Sequence, residues 1–173
     1  MSAPGTRGEE PSDEDLAVLE AQLGRPPRGV IAVPVRCACG NPVVVTTAPR
    51  LDDGTPFPTA YYLTHPGAVA AVSRLEAAGV MREMEGRLRS DPDLADRYRA
   101  AHEAYLKARD AIEEVPEIEG TSAGGMPDRV KCLHVLVAHA LVAGPGVNPF
   151  GDEALALIRD DWSVDRCSCP AEP

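Results

Sequence analysis

The sequence of 173 residues is short of positive charge and of aromatic side chains. Lys and Arg together number 17 against 27 Asp and Glu, which gives a formal net charge of −10 at pH 7. Lysine and arginine drive affinity for phosphate backbones and anionic lipid headgroups, so this charge argues against binding to nucleic acid or to a membrane surface. Aromatic residues make up only 4% of the chain, so the core must be built mainly from Ala, Val and Leu.

Long apolar runs are also missing. The longest nearly apolar stretch, residues 133–143, is about half of the ~20 residues that a membrane span needs, and it contains two histidines. The first fifteen residues, MSAPGTRGEEPSDED, have no apolar segment after a basic start, so no signal peptide is expected. These features predict a cytoplasmic protein. Because the cytosol keeps thiols reduced, we expect the five cysteines to bind metal or to catalyse rather than to form disulfides.

Sequence motifs of the common enzyme classes are absent as well. The chain has no nucleophile elbow, no dinucleotide fingerprint and no Walker loop, and no internal repeat of 20–50 residues is visible. These absences favour a protein without catalytic activity. The length predicts one globular domain over residues 12–162, preceded by a polar, disordered tail over 1–11 and followed by a tail over 163–173 that carries Cys-x-Cys.

Two short β-branched segments, 30–36 and 42–48, flank the string Cys37-Ala-Cys-Gly-Asn41. Strands joined by a Gly/Asn turn predict a β-hairpin with both thiols at its tip. Pro34 favours an edge position for the first strand, and residues 57–64 supply a third strand. Helical spacing and capping residues predict helices over 13–23, 66–78, 80–90, 92–114, 127–142 and 152–161. The expected fold class is therefore α+β and helix-dominated, with a small antiparallel sheet packed against five to six helices.

The cysteines occur as two Cys-x-Cys pairs and one single residue. Zinc takes four ligands tetrahedrally and prefers thiolate and imidazole donors in proteins. The sequence predicts a zinc site made by Cys37, Cys39, Cys167 and Cys169, which would fasten the C-terminal tail to the hairpin. Free thiols are the competing interpretation, because paired zinc ligands are usually separated by two residues rather than by one.

Cys132, His134 and His139 are alternative ligands from a single predicted helix. A helical step of ~100° places Cys132 and His134 on nearly opposite faces, so one metal ion cannot collect all three. At most one or two of them would complete a site begun at the hairpin, and a buried core position is an equally good interpretation of His139. His65 and His102 stand singly, and we expect surface roles for both.

The loop before this helix suggests a different activity. Gly124 and Gly125 open a predicted helix, whose first amides could bind an anion with help from Arg129 and Lys131. An ordinary loop and helix start is the simpler interpretation. Cys132 with His134 as its base is a weak candidate for a catalytic nucleophile, because a thiol within an apolar helix is usually inert.

Three long blocks of the sequence resemble domain-of-unknown-function family 501, a family of high-GC Gram-positive bacteria. The blocks are RCACGNPVVVTTAPRLDDGTPFPTAYYLTHP (36–66), SRLEAAGVMREMEGRL (73–88) and GMPDRVKCLHVLVAHALVAGPGVNPFGDEAL (125–155). The resemblance implies a cytosolic bacterial protein with no established activity, from a gene neighbourhood of septum formation and polyphosphate metabolism. Cys167 and Cys169 fall outside the blocks, which shifts weight toward Cys37 and Cys39 combined with Cys132 or a histidine.

Taken together, these features favour a zinc-stabilised accessory protein that acts through contact with another protein. The alternative is a small enzyme or an anion-binding protein that uses the loop and helix between Gly124 and His139. The sequence does not define a substrate, a partner or an oligomeric state.

Overall fold

A computed structural model describes residues 8–166 and 169, and within these residues six α-helices accompany a three-stranded antiparallel sheet. The predicted helix-dominated α+β class is confirmed. The helices are α1 (Asp13–Leu23), α2 (Pro66–Ala77), α3 (Val80–Ser90), α4 (Pro92–Asp110), α5 (Leu133–Ala143) and α6 (Pro149–Leu157), and the strands are β1 (Val30–Arg36), β2 (Pro42–Thr47) and β3 (Tyr61–Leu63). Within the same residues, no helix is both long and apolar enough to cross a membrane.

The strand order is β1-β2-β3, so β2 lies in the centre and the proline-containing β1 at an edge, as predicted. Every residue of β2 is buried. Successive side chains of a strand point to opposite faces, so Val44 belongs to the main core while Val45 packs with Leu19 of α1 on the other side. The sheet is therefore covered on both faces. The edge of β1 is extended by a β-bridge between Glu9 and Val33.

Helix α5 is the most apolar helix, and it lies against β3, α2 and α6 in the main core. Its close contact with α6 depends on Gly151, because a Cβ atom there would collide with the carbonyl oxygen of Leu136. Helix α6 is capped by Asn148, whose side-chain oxygen accepts a hydrogen bond from the Gly151 N–H at 2.9 Å. The helix predicted over 152–161 therefore begins and ends earlier than expected. Asp152, the first residue of the predicted range, accepts a hydrogen bond from the Gly146 N–H.

Candidate metal centre

The two hairpin cysteines lie in the turn between β1 and β2, where the sequence predicted them. The Cys37 N–H donates to the carbonyl oxygen of Asn41, and the Gly40 N–H donates to the carbonyl oxygen of Cys37, both at 2.9 Å. Gly40 has a φ of 95°, a conformation that glycine adopts without steric cost. Cys37 is buried and Cys39 is exposed at the tip, yet this turn brings their Sγ atoms to 2.7 Å from each other.

The C-terminal tail brings a third sulfur to the hairpin tip. The Sγ atom of Cys169 lies 3.6 Å from that of Cys37 and 3.4 Å from that of Cys39. The distances between these three sulfurs are longer than a disulfide bond, so the sulfurs meet without being bonded to one another. The predicted fourth sulfur, Cys167, lies outside the described residues. Residues that are 130 and more positions apart in the sequence thus converge at one point.

His65, at the start of α2, is the fourth group at this point. Its Nε2 atom lies 3.2 Å from the Sγ atom of Cys169, and the donor atoms of Cys37, His65 and Cys169 all lie within 4.8 Å of one another. The residue is only 1% exposed, so the expectation of a surface role is wrong. Donors of these types at these distances are compatible with a bound metal ion.

The neighbours of the His65 ring determine which of its two nitrogens carries the proton. His65 is the N-cap of α2, and its Nδ1 atom accepts hydrogen bonds from the backbone N–H groups of Gly67 and Ala68. An acceptor Nδ1 leaves the proton of the neutral ring on Nε2, which therefore donates to the sulfur of Cys169. Burial lowers the pKa of His65 and so disfavours the charged form of the ring. A zinc-bound histidine usually donates through its second nitrogen, so this arrangement suits a supporting group better than a ligand.

A second cluster of donors lies at the start of α5. The Nδ1 atom of His134 is 3.1 Å from the Oε1 atom of Glu76 and 4.0 Å from the Sγ atom of Cys132. The same Oε1 atom accepts a hydrogen bond from the Leu133 N–H at 2.8 Å. The Nε2 atom of His134 lies 3.2 Å from the carbonyl oxygen of Val69 and donates to it. All three donors are half-buried and lie within 4.8 Å of one another.

The cluster shifts the acidities of its members. The hydrogen bond with Cys132, together with the charge of Glu76, raises the pKa of His134 to about 9, against the lowering effect of burial. Burial by itself would raise the pKa of the Cys132 thiol, but the hydrogen bonds from His134 and from the backbone outweigh it, and the pKa lies below the ordinary value. Both shifts favour a thiolate beside an imidazolium in the metal-free chain.

The predicted separation of Cys132 and His134 onto opposite helix faces is wrong, because α5 begins at Leu133 rather than at residue 127. Cys132 is the N-cap and has an extended backbone, with φ of −150° and ψ of 108°. The helical angle of 100° per residue therefore does not apply between the two side chains. Residues 127–132 form a turn and an extended segment instead.

The predicted anion site at the glycine loop stays a prediction, and most of its groups have partners of their own. Gly124 and Gly125 lie in a turn with φ angles of 69° and 93°, and the carbonyl oxygen of Gly124 accepts a hydrogen bond from the Lys131 N–H. The guanidinium of Arg129 contacts Glu85 at 3.3 Å. The first amide of α5 donates to Glu76, as described above.

His139, the remaining alternative ligand, belongs to the core. It is 2% exposed, stacks on the ring of Tyr61 and meets the ring of Tyr105 edge-on. Its Nδ1 atom lies 3.1 Å from the side-chain nitrogen of Asn148. His102 contacts the hydroxyl of Ser122 at 2.8 Å. Neither histidine belongs to the two donor clusters found among the described residues.

Two residues of these clusters, His65 and Glu76, were not predicted as site residues from the sequence. His65 was assigned to the surface, although its place directly before Pro66 at a helix start was a usable sign of an N-cap. Glu76 gave no signal, because it is one of 27 acidic residues and joins Cys132 only through the packing of α2 against α5.

These features define a class: a helix-dominated α+β protein with a cluster of cysteine and histidine donors that is compatible with a metal ion. The family model for a protein of unknown function, DUF501, matches residues 33–156, and the chain belongs to this family. The match includes the hairpin cysteines, His65 and the second cluster, and ends before Cys169. No curated protein and no solved structure matches the chain.

Proposed function

We propose that this protein is a zinc protein in which the metal ion fastens the C-terminal tail to the tip of the β-hairpin. The observation that carries the proposal is the convergence of the sulfurs of Cys37, Cys39 and Cys169 within 2.7 to 3.6 Å of one another. Three thiolates so close together repel one another unless a cation or protons neutralise them. Zinc is the metal whose structural sites are built mostly from thiolates.

The hydrogen bonds of His65 support a site of four sulfurs. Because Nδ1 accepts from the backbone, Nε2 carries a proton and donates to Cys169, as a supporting group around a metal ligand does. The fourth ligand is then Cys167, the residue that the sequence predicts from its Cys-x-Cys pair. A site with four protein ligands has no open position, and it would stabilise the fold rather than catalyse a reaction.

Elemental analysis of the purified full-length chain tests this proposal. We expect zinc to co-purify, and we expect Cys37→Ser and Cys169→Ser to lose about one zinc ion per chain. Chelation should lower the melting temperature of the wild-type chain, because metal that binds only the folded state adds its binding free energy to stability. His102→Asn is the control, since it removes a possible ligand that lies outside both donor clusters of the described residues.

The fourth ligand is tested by a pair of variants. If the proposed ligand set is correct, Cys167→Ser loses the metal, while His65→Asn keeps it with weaker affinity, by about 10- to 100-fold as for other supporting groups. Loss of the metal in His65→Asn with retention in Cys167→Ser would assign the fourth position to His65. A stable wild-type chain that contains no zinc and ignores chelators would contradict the proposal itself.

From the family resemblance alone we further propose that the protein works in the bacterial cytoplasm through contact with another protein, in cell division or polyphosphate metabolism. A zinc-fastened tail at the hairpin tip would give such a partner a rigid surface. Deletion of the gene, followed by measurement of septum spacing and polyphosphate content, tests this setting. Unchanged values of both would contradict it.

A further inference from the structure

The second donor cluster has the geometry of a metal site rather than that of a catalytic triad. In a triad, the nucleophile and the acidic residue contact opposite nitrogens of the histidine ring. Here the Sγ atom of Cys132 and the Oε1 atom of Glu76 both face Nδ1 of His134, at 4.0 and 3.1 Å. Three atoms of metal-ligating types therefore converge on one point, which a cation can occupy in place of the proton on Nδ1.

The surroundings of His134 match those of a metal-bound imidazole. Its Nε2–H group donates to the carbonyl oxygen of Val69, and Ser73 Oγ lies at the same distance of 3.2 Å. A ligating histidine almost always donates its second N–H to a carbonyl or carboxylate in this way, which fixes the ring and leaves the other nitrogen free for the metal. The carboxylate of Glu76 is likewise held by the Leu133 N–H.

The cluster also borders a cleft, with Cys132 and His134 among the residues that line it. This cleft has a volume of about 580 Å³ and lies between the end of α1, β3, α2 and the start of α5. Its walls are mainly apolar and include the side chains of Leu63, Val69 and Tyr62. Zinc sites with three protein ligands keep a fourth position for water or substrate, and here that position would face the cleft.

We propose that Glu76, Cys132 and His134 bind a second zinc ion, separate from the ion at the hairpin tip, with a water molecule as its fourth ligand. The thiolate and the carboxylate together supply two negative charges, which balance the charge of the ion. The cleft would admit a ligand that carries a donor atom for the metal on an apolar body.

Metal content of single variants of the full-length chain tests this proposal. We expect Cys132→Ser and Glu76→Gln each to lose about one zinc ion per chain, whatever the state of the hairpin site. The matched control is Glu85→Gln, because Glu85 also accepts a hydrogen bond from a backbone N–H, that of Val130, but has no cysteine or histidine donor beside it. A zinc ion that is lost in Cys132→Ser and kept in Cys37→Ser would support this site even if the hairpin site failed.

Two measurements on the wild-type chain avoid any dependence on the folding of variants. Zinc should protect Cys132 from alkylation by iodoacetamide, as peptide mapping would report, and chelation should abolish the protection. In the cobalt-substituted protein, benzohydroxamate should change the visible spectrum through the open position. If Cys132 were alkylated at the same rate with and without zinc, the proposal would be overturned and Cys132 would be a reactive thiol instead. An unchanged cobalt spectrum would overturn the proposed open coordination position.

Discussion

His65 and His134 show how backbone neighbours decide what an imidazole can do. Both rings carry the proton of the neutral form on Nε2, but for different reasons. Nδ1 of His65 accepts from the N–H groups at the start of α2, so Nε2 is left as a donor to Cys169. Nε2 of His134 donates to Val69, so it is Nδ1 that faces Cys132 and Glu76, and in the neutral ring this atom has the lone pair that a metal ion would use. The first ring is placed to support a proposed ligand, and the second is placed to be one.

The close packing of Gly151 against α5 predicts the effect of a single substitution on stability. Its Cα approaches α5 so closely that an added Cβ would lie 2.7 Å from the Cβ of Ala140 and closer still to the backbone of Leu136. We expect Gly151→Ala to lower the free energy of unfolding by about 1–3 kcal/mol, because α6 must move away from α5. Unfolding in urea, monitored by circular dichroism, measures the change.

Gly86 in α3 is the matched control, since an added Cβ atom there meets nothing within 4 Å. Alanine loses less backbone entropy than glycine on folding, so Gly86→Ala should raise stability by about 0.5–1 kcal/mol. Equal effects of the two substitutions would show that the contact between α5 and α6 is not as close as described.

At the scale of elements, helix starts position both clusters. The N-cap of α2 is His65 itself, and the N-cap of α5 is Cys132. Helix α1 supports the hairpin in a different way, through an ion pair between Asp15 and Arg36 at the end of β1, directly before Cys37. The guanidinium also donates to the carbonyl oxygen of Gly40 in the turn, at 3.0 Å. The tip is thus held from the helix side as well as by its own strands.

The ion pair of Asp15 predicts how the stability of the protein depends on pH. The hydrogen bonds from Arg36, with those from Ser12, hold the pKa of this carboxyl far below its usual range despite burial. A group with a depressed pKa in the folded state stabilises the protein above its unfolded pKa of about 3.9, and this stabilisation is lost as the pH falls toward the folded pKa. We expect Asp15→Asn to cost about 2 kcal/mol at neutral pH.

The difference in unfolding free energy between wild type and Asp15→Asn should shrink steadily below about pH 4, because the wild type then loses the same charge. Glu14→Gln serves as the control on the same helix, since Glu14 is exposed. If this difference in unfolding free energy stayed constant down to pH 2, the ion pair would not be its source.

At the scale of the whole molecule, the sequence predicts local structure well and long-range convergence poorly. The bounds of α1 and α3 agree with the helices predicted from caps and apolar spacing, and the hairpin lies where its turn signal placed it. The predicted start of α5 was wrong. Residues 127–132 carry side chains that are compatible with a helix, but backbone N–H groups among them donate hydrogen bonds to the glycine turn and to Glu85. The helix propensity of these residues does not predict such hydrogen bonds.

The residues of the candidate sites also differ in whether the sequence could predict them. Pairing of the hairpin cysteines with the C-terminal pair could be inferred, because thiolates close together in sequence suggest a zinc site. The approach of His65 and Glu76 could not, since His65 reaches the hairpin only when β3 pairs with β2, and Glu76 reaches Cys132 only when α2 packs against α5. A single glutamate or histidine has many other roles in proteins, so its residue type alone carries little information.

Anomalous scattering at the zinc absorption edge, from crystals of the full-length chain grown without chelators, would show whether a zinc ion lies at the hairpin tip. We expect an anomalous peak between the sulfurs of Cys37, Cys39 and Cys169, from a zinc ion bonded to them at about 2.3 Å. Reduced cysteines at that point with no peak between them would contradict the proposed zinc site.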